Sequence, residues 1–360
     1  MKALIISVIF GGALGVGSAA QAAQPDDHLV FEAKEGAGSG KHIVFLSGDE
    51  EYRSEESMPM MAQILASQGF KCTVLFSLNA DGVVDPTNQK SLSHSESLDK
   101  ADAIVMCLRF RNWDDTSMER FEAALNRGVP VVALRTSTHA FKFGKDSKWA
   151  KYSFNAGPDT GWKGGFGRHI LGETWINHHG KHKVQGTRTI VEEANAKHPV
   201  LNGVGSIFAE TDVYGANPPA DATILLRGQV TKTLQPDSEP VEGKKNNPVI
   251  PVAWVRTVKA DSGKDLRICT TTMGAASDLD DANLRRLVAN GVYWGLGMEV
   301  PKEADVTLPG VYKPTFYGFG TFLKGKKPAD FILKGAAAPD AAPAAAIEAP
   351  KELRLGKTKG

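Results

Sequence analysis

The sequence predicts an α/β protein built on an open, mostly parallel sheet with helices on both faces. Three observations carry that expectation. From His42 onward, short and almost continuously apolar runs alternate with amphipathic stretches of helical period. Strands buried on both faces read this way, because the crossover helices of a parallel sheet cover both of its sides. Glycines stand at the expected helix ends, Gly69 and Gly128, just ahead of the next apolar run. At 42% hydrophobic residues, a chain of 360 has enough apolar side chain for a sizeable core.

The elements follow in order. Residues 42–47 form the first strand and 48–56 a polar loop, after which Ser57 is the expected cap of a helix. Pro59 falls in its first turn, and Met60, Met61, Ile64 and Leu65 make its apolar face. Runs 72–76 and 103–109 are the next strands. Met118, Phe121, Ala124 and Leu125 then recur at helical spacing ahead of a strand over 129–134. Beyond Phe143 the chain turns loop-rich. Short β-segments follow between 189 and 258, including 223–226 and 252–255, and 266–273 is a further strand. A helix over 282–296 has Leu284, Leu287, Val288, Val292 and Trp294 as core positions, with Asp278, Asp280 and Asp281 suiting its N-terminus. The Tyr-, Phe- and Gly-rich residues 314–325 read as an extended arm over the body.

The ends are set apart from the fold. Lys2, an apolar stretch over 3–16 and Ala20-Gln21-Ala22 make the pattern of a signal peptide over 1–22, which predicts export to the periplasm or beyond. That apolar stretch is too short to span a bilayer, and no later segment has the length and hydrophobicity to do so. The Ala/Pro run from 335 begins a low-complexity tail to 360. With 42 basic against 41 acidic residues, the chain lacks the basic field that a nucleic-acid partner needs. Cys72, Cys107 and Cys269 each sit in an apolar run, where a buried free thiol is expected, and no C-x-x-C pair exists for a thiolate metal site.

In open α/β sheets ligands bind beyond the carboxyl ends of the strands. There this chain places Asp49, Glu50, Glu51, Tyr52 and Arg53, then Arg109 and Arg111, then Arg135, Thr136, Ser137 and His139. The same charges also read as an ion-pair network closing the sheet edge. Arg135 falls on the strand-to-helix elbow that holds the nucleophilic Cys in class I glutamine amidotransferases. A guanidinium stays protonated and cannot be that nucleophile. Further on, His169, His178, His179 and His182 crowd into fourteen residues with Glu173 between them. His179, His182 and Glu173 are a candidate set for a divalent metal, the one cofactor the sequence suggests. The favoured expectation is a polar ligand-contacting loop, with no cofactor required.

Taken in order, GDEEYRSEE, PVVALRTSTHAF, GRHILGETWINHHGKH, HPVLNGV with Glu210-Thr-Asp-Val-Tyr214, PVAWVRT and TTMGAASDLDDANLRRLVANGVYWGLG resemble the ThuA-like (trehalose utilisation) family. The resemblance covers residues 41–298, leaving 299–334 as the arm and 335–360 as the tail. It implies a class I glutamine amidotransferase-like, flavodoxin-like fold and a link to sugar metabolism. The chain departs from the family's common pattern twice, with Arg135 where His is common and Gly274-Ala275 where Gly-His is common.

The expected function is therefore an exported protein that binds or processes a carbohydrate or oxidised-sugar ligand, as a hydrolase or lyase without a cysteine nucleophile. Asp49, Glu51, Arg109, Arg111 and Arg135 would hold ligand oxygens, Trp175 would stack on a sugar ring, and His139, His179 or Tyr52 would move a proton. One alternative is a non-catalytic sugar-binding or assembly module on the same fold. Another is a metal-dependent hydrolase using the cluster that contains His178 and His182. The partner expected is a small carbohydrate, and nothing in the sequence opposes a homo-oligomer.

Overall fold

The computed structural model describes residues 24–336. The signal-peptide reading of 1–22 and all but the first two residues of the 335–360 tail lie outside the described residues. Ten strands form one sheet: β1 (His28–Phe31), β2 (His42–Gly48), β3 (Lys71–Leu75), β4 (Ala103–Leu108), β5 (Val131–Leu134), β6 (Thr187–Val191), β7 (Phe208–Ala209), β8 (Thr223–Val230), β9 (Ile250–Lys259) and β10 (Asp265–Thr271). Their spatial order is β1-β3-β2-β4-β5-β10-β9-β8-β6-β7. The strands from β3 through β10 in that order run parallel. β1 adds antiparallel at one edge, and β9, β8, β6 and β7 extend the other edge antiparallel. The β-segments expected after residue 189 are thus a continuation of the same sheet. β1 precedes the first strand the sequence predicts.

The period of two along each strand divides the core. Ile43 and Phe45 of β2 point to the face covered by α1 (Ser54–Ser67) and α3 (Ala282–Gly295), where they join Met58, Met61, Leu65, Leu284 and Leu287. Val44 and Leu46 point to the other face, against Met118, Phe121 and Leu125 of α2 (Asp115–Asn126). Phe141, Tyr152, Phe166 and Leu171 of the loop-rich insertion pack into this second layer. The insertion is therefore part of the core and carries its histidines on a fixed support.

One boundary differs from the sequence reading. α1 starts at Ser54, one turn before Ser57, and Pro59 stands inside it. Arg53 is its N-cap, with φ 61°. Glu55 and Glu56 lie in the first turn, where the helix dipole favours negative charge. Ser54 accepts the Asp49 N–H, and Thr315 donates to Glu56. The polar run that reads as a loop is thereby buried, with Ser54 and Glu56 partnered. Cys72, Cys107 and Cys269 are buried and free, and burial pushes the Cys269 thiol up to about 12.

After α3 the chain returns across α1. Leu333 N–H donates to Gln63, Phe331 stacks on Phe76 with ring centroids 6.3 Å apart, and Lys326 accepts the Val84 N–H. Residues 315–321 of this arm reach the carboxyl edge of the parallel strands.

Candidate functional site

The loop after β2 is folded back by one carboxylate. Asp49 is fully buried and accepts the N–H groups of Glu51 and Tyr52, each at 2.7 Å, while its second oxygen accepts the Thr136 hydroxyl. Burial and the neighbouring Glu50 raise its pKa. Asp49 is thus an anchor for the loop, occupied by protein groups, and not a contact for a ligand as the sequence suggests. It turns Glu51 and Tyr52 toward the end of β5.

Beyond β4, Glu50 takes both Arg109 and Arg111. Arg111 is 0% exposed, and its other donors go to the Arg109 and Pro86 carbonyls and the Ser77 hydroxyl. Beyond β5, Arg135 occupies the elbow with φ 43°, the left-handed turn that a strand-to-helix elbow requires. Its guanidinium is also 0% exposed. It donates to the Asp212 carbonyl (2.6 Å), the Thr272 carbonyl (2.8 Å), Asp212 Oδ1 (2.8 Å) and the Tyr52 hydroxyl (3.2 Å). It also lies 3.5 Å from the Tyr214 ring centroid. Three guanidinium groups lining an open crevice were the expectation. Two of them are instead consumed by internal carboxylates and carbonyls, because a buried charge persists only when paired. Arg109 alone reaches the surface, between the rings of Phe110 and Phe319.

Asp212 is the hub of the site. One oxygen faces Arg135 and, at 3.3 Å, Nδ1 of His182, while the other is 2.8 Å from Nδ1 of His178. His182 also places Nε2 3.0 Å from Glu51. With a carboxylate on each nitrogen, hydrogen bonds to Asp212 and Glu51 raise its pKa to about 9, and it is an imidazolium at neutral pH. Burial opposes the charge on Asp212, but Arg135 and the two imidazoles hold its carboxyl well below the usual range. His178 differs from His182. Its Nδ1 is fixed on Asp212, its side chain is 32% exposed, and Nε2 has no partner among the described residues. Its ring packs against Tyr214 (5.3 Å) and Trp175 (5.8 Å).

The proton-transfer candidates read from the sequence are enclosed by this wall or turned aside from it. His139 is buried among Phe110, Trp175 and Tyr214. Burial, then Arg109, Arg135 and His178, hold its pKa well below the ordinary value, so it is a neutral wall. His179 points its Nε2 at the Lys245 carbonyl, 2.7 Å away. Tyr52 is buried, its phenol pushed up by burial, and it is roofed by Tyr317 of the arm at 5.0 Å between centroids. Gly318 N–H donates to the Glu51 carbonyl, and Tyr317 donates to the Glu210 carbonyl. Trp175 is half-buried between His139 and His178.

The expected metal set does not assemble. Glu173 is buried, pairs with Arg168 at 2.9 Å and accepts the Thr174 and Asn217 N–H groups, while His179 turns to Lys245. The trio that does gather here is His178, His182 and Asp212, with one ligand atom from each within 4.8 Å of the others. A metal ligand must offer a free electron pair. Arg135 pairs with Asp212 and Glu51 lies on His182 Nε2, so the atoms of this trio are already engaged in an internal hydrogen-bonded network.

Asp212, Tyr214 and Tyr317 were missed as site residues. The first two lie in Glu210-Thr-Asp-Val-Tyr214, a segment whose acid and phenol two residues apart were the available signal. Behind the elbow, Gly274 has φ 142°, and a Cβ there would come within 2.7 Å of Leu134 Cβ. The Gly274 and Ala275 N–H groups both donate to Asp278.

A mostly parallel open sheet with helices on both faces and a polar network at its carboxyl edge defines an α/β protein of the flavodoxin-like class. Within that class the family model described as ThuA, trehalose utilisation, matches residues 42–295, and the chain belongs to this family. Among solved structures it is similar to a ThuA-like protein from Parabacteroides merdae, at 15% identity over 78% of this chain and 97% of that one, with TM-score 0.48. A second ThuA-like protein, from Bacteroides uniformis, is similar at 14% identity over 73% and 94%, with TM-score 0.42. Among curated proteins, none matches the chain.

Proposed function

We propose that this ThuA-family protein is exported and acts on a carbohydrate or oxidised-sugar ligand at the carboxyl edge of its sheet, with His178 as the group that moves a proton. The observation that carries this reading is the Asp212–His178 pair. A buried carboxylate 2.8 Å from Nδ1 fixes the tautomer and leaves Nε2 as the acceptor on a partly exposed ring. Trp175 beside it supplies a flat apolar face for a pyranose, and Arg109 supplies a surface guanidinium for hydroxyl, carbonyl or carboxylate oxygens. The charged His182 suits a position near developing negative charge. Proton abstraction beside a carbonyl, or assistance to a leaving alcohol, is chemistry that such a base and such cations support.

A non-catalytic binding module is the second reading. It is favoured by Arg135, which fills the elbow with a side chain already consumed by Asp212. Both readings are tested by titrating the chain with a panel of oligosaccharides and their 3-keto derivatives, following heat of binding and product formation together. Binding that Trp175→Ala weakens, with product formed, supports the enzyme. Binding without product supports the module, and binding of no sugar at all overturns both.

A further inference from the structure

At the mouth of the candidate site two residues hold an uncommon backbone conformation. Phe110 has φ 52° and Lys183 has φ 58°. The left-handed region is disfavoured for side chains with a Cβ, and residues kept there cluster at ligand clamps and active sites. Each of the two turns sets a cation in place. Phe110 directly follows Arg109 and puts its ring against that guanidinium, with the centroid 4.3 Å from Cζ. Lys183 follows His182 and lays its ammonium on the arm, where a Cβ added to Gly318 would lie 2.8 Å from Nζ and the Tyr317 ring centroid is 5.8 Å away. Phe319, the next arm residue, has its centroid 4.9 Å from Arg109 Cζ and is 56% exposed. Arg109 and Lys183 therefore flank the same two arm residues.

Neither cation is saturated by the protein. Nη1 of Arg109 goes to Glu50, while Nε and Nη2 have no hydrogen-bond partner among the described residues. Glu50 also takes Arg111, so two guanidinium groups share one carboxylate and a positive charge is left over. Lys183 is exposed and has no carboxylate partner among the described residues. The other carboxylates of this edge are answered from within: Asp49 by backbone N–H groups, Glu51 by His182, and Asp212 by Arg135. An approaching anion meets the two cations first. Only the His139 ring separates Phe110 from Trp175, at 5.2 and 5.7 Å between centroids, so these cations and the stacking ring belong to one crevice.

We propose that Arg109 and Lys183 form a carboxylate-binding subsite in this crevice, and that the ligand is an acidic sugar of the uronate class. The inference rests on the carbohydrate reading above and narrows it. A guanidinium offers a planar fork that matches a carboxylate bidentately, and an ammonium adds a point charge beside it. The two phenyl rings hold the fork in place, which reduces the freedom lost on binding, and they shield it from water, which strengthens the charge-assisted bonds.

The test is calorimetric titration of the full chain with trisaccharides of galacturonate, glucuronate and mannuronate. Each is run beside the neutral trisaccharide obtained by reducing its carboxyl groups, and beside the 6-sulfate of that neutral sugar. At least one uronate is expected to bind about 10-fold or more tightly than its neutral counterpart, the scale of hydrogen bonds to charged groups. Added sodium chloride should weaken the uronate and leave the neutral sugar unchanged. In Arg109→Gln the two members of that pair should bind within about 3-fold of each other, and Lys183→Gln should lose about 3-fold or more of the uronate affinity alone. Should Arg109→Gln fail to fold, Lys183→Gln, altered at an exposed side chain, carries the comparison. A neutral sugar bound as tightly as its uronate would overturn this inference and leave the carbohydrate reading standing. So would a uronate preference unchanged in both variants, or tighter binding of the sulfate. Binding of no sugar, acidic or neutral, would overturn both.

Discussion

At Asp212 one buried carboxylate answers a guanidinium and two imidazoles. Removing one partner of a buried pair leaves the other uncompensated, at a cost of about 3–5 kcal/mol. Asp212→Asn is therefore expected to lose about that much stability in urea unfolding, and proton NMR should show the His182 titration falling from about 9 toward 6.5. The wild-type network has a pH signature of its own. Because the folded-state pKa of His182 is raised, its contribution is fully present below 6.5 and is lost as pH climbs through about 9. Glu55 works in the same direction over a lower pH interval. It is fully buried with Oε2 unpartnered, and burial, only partly offset by Arg53, pushes its pKa to about 7. The fold holds this proton more tightly than the unfolded chain, so stability falls as pH rises from 4.5 to about 7. Glu55→Gln should flatten the pH dependence over that interval, and unfolding free energies that still fall as in wild type would contradict the assignment. Arg135 was legible in the sequence because counting from a strand locates the elbow. Asp212 was not, because its three partners come from 30 to 77 residues away and only the folded chain brings them together.

Among the elements, the arm after α3 does most to shape the site. Thr315 satisfies both oxygens of Glu56, and Tyr317 and Gly318 close over Tyr52 and Glu51. Thr315→Val removes the hydroxyl from a largely buried carboxylate and is expected to cost about 1–3 kcal/mol in thermal or urea unfolding. A change within 0.5 kcal/mol, the usual scale for surface substitutions, would show that the arm is not held there. The arm's composition of Tyr, Phe and Gly pointed to an extended segment over the body. The sequence did not show where it docks, since its anchors are backbone carbonyls and the first turn of α1. That first turn was itself misplaced for the same reason. Ser54 and Glu56 read as part of a polar loop until Asp49 and the arm are seen to partner them.

Across the whole molecule, alternation of apolar strands and amphipathic helices was enough to reveal the parallel centre of the sheet, because that pattern arises from burial on both faces. The extension through β9, β8, β6 and β7 was legible only as separate β-segments. Strand order depends on long-range pairing that local pattern does not encode. The rule that ligands bind at the carboxyl edge located Glu51, Arg109, Arg135 and His139 in one region, but it did not separate accessible residues from those consumed inside the wall. Solvent access and hydrogen-bond saturation make that separation, and they leave His178 with a free nitrogen beside Trp175. The most direct measurement is single-turnover kinetics of wild type and His178→Gln on the sugar or 3-keto sugar that the panel identifies. With His178 as the proton-transferring group, the rate should fall by at least about 100-fold while the ligand dissociation constant stays within about 3-fold. Turnover at the wild-type rate in His178→Gln, with ligand still bound, would contradict it.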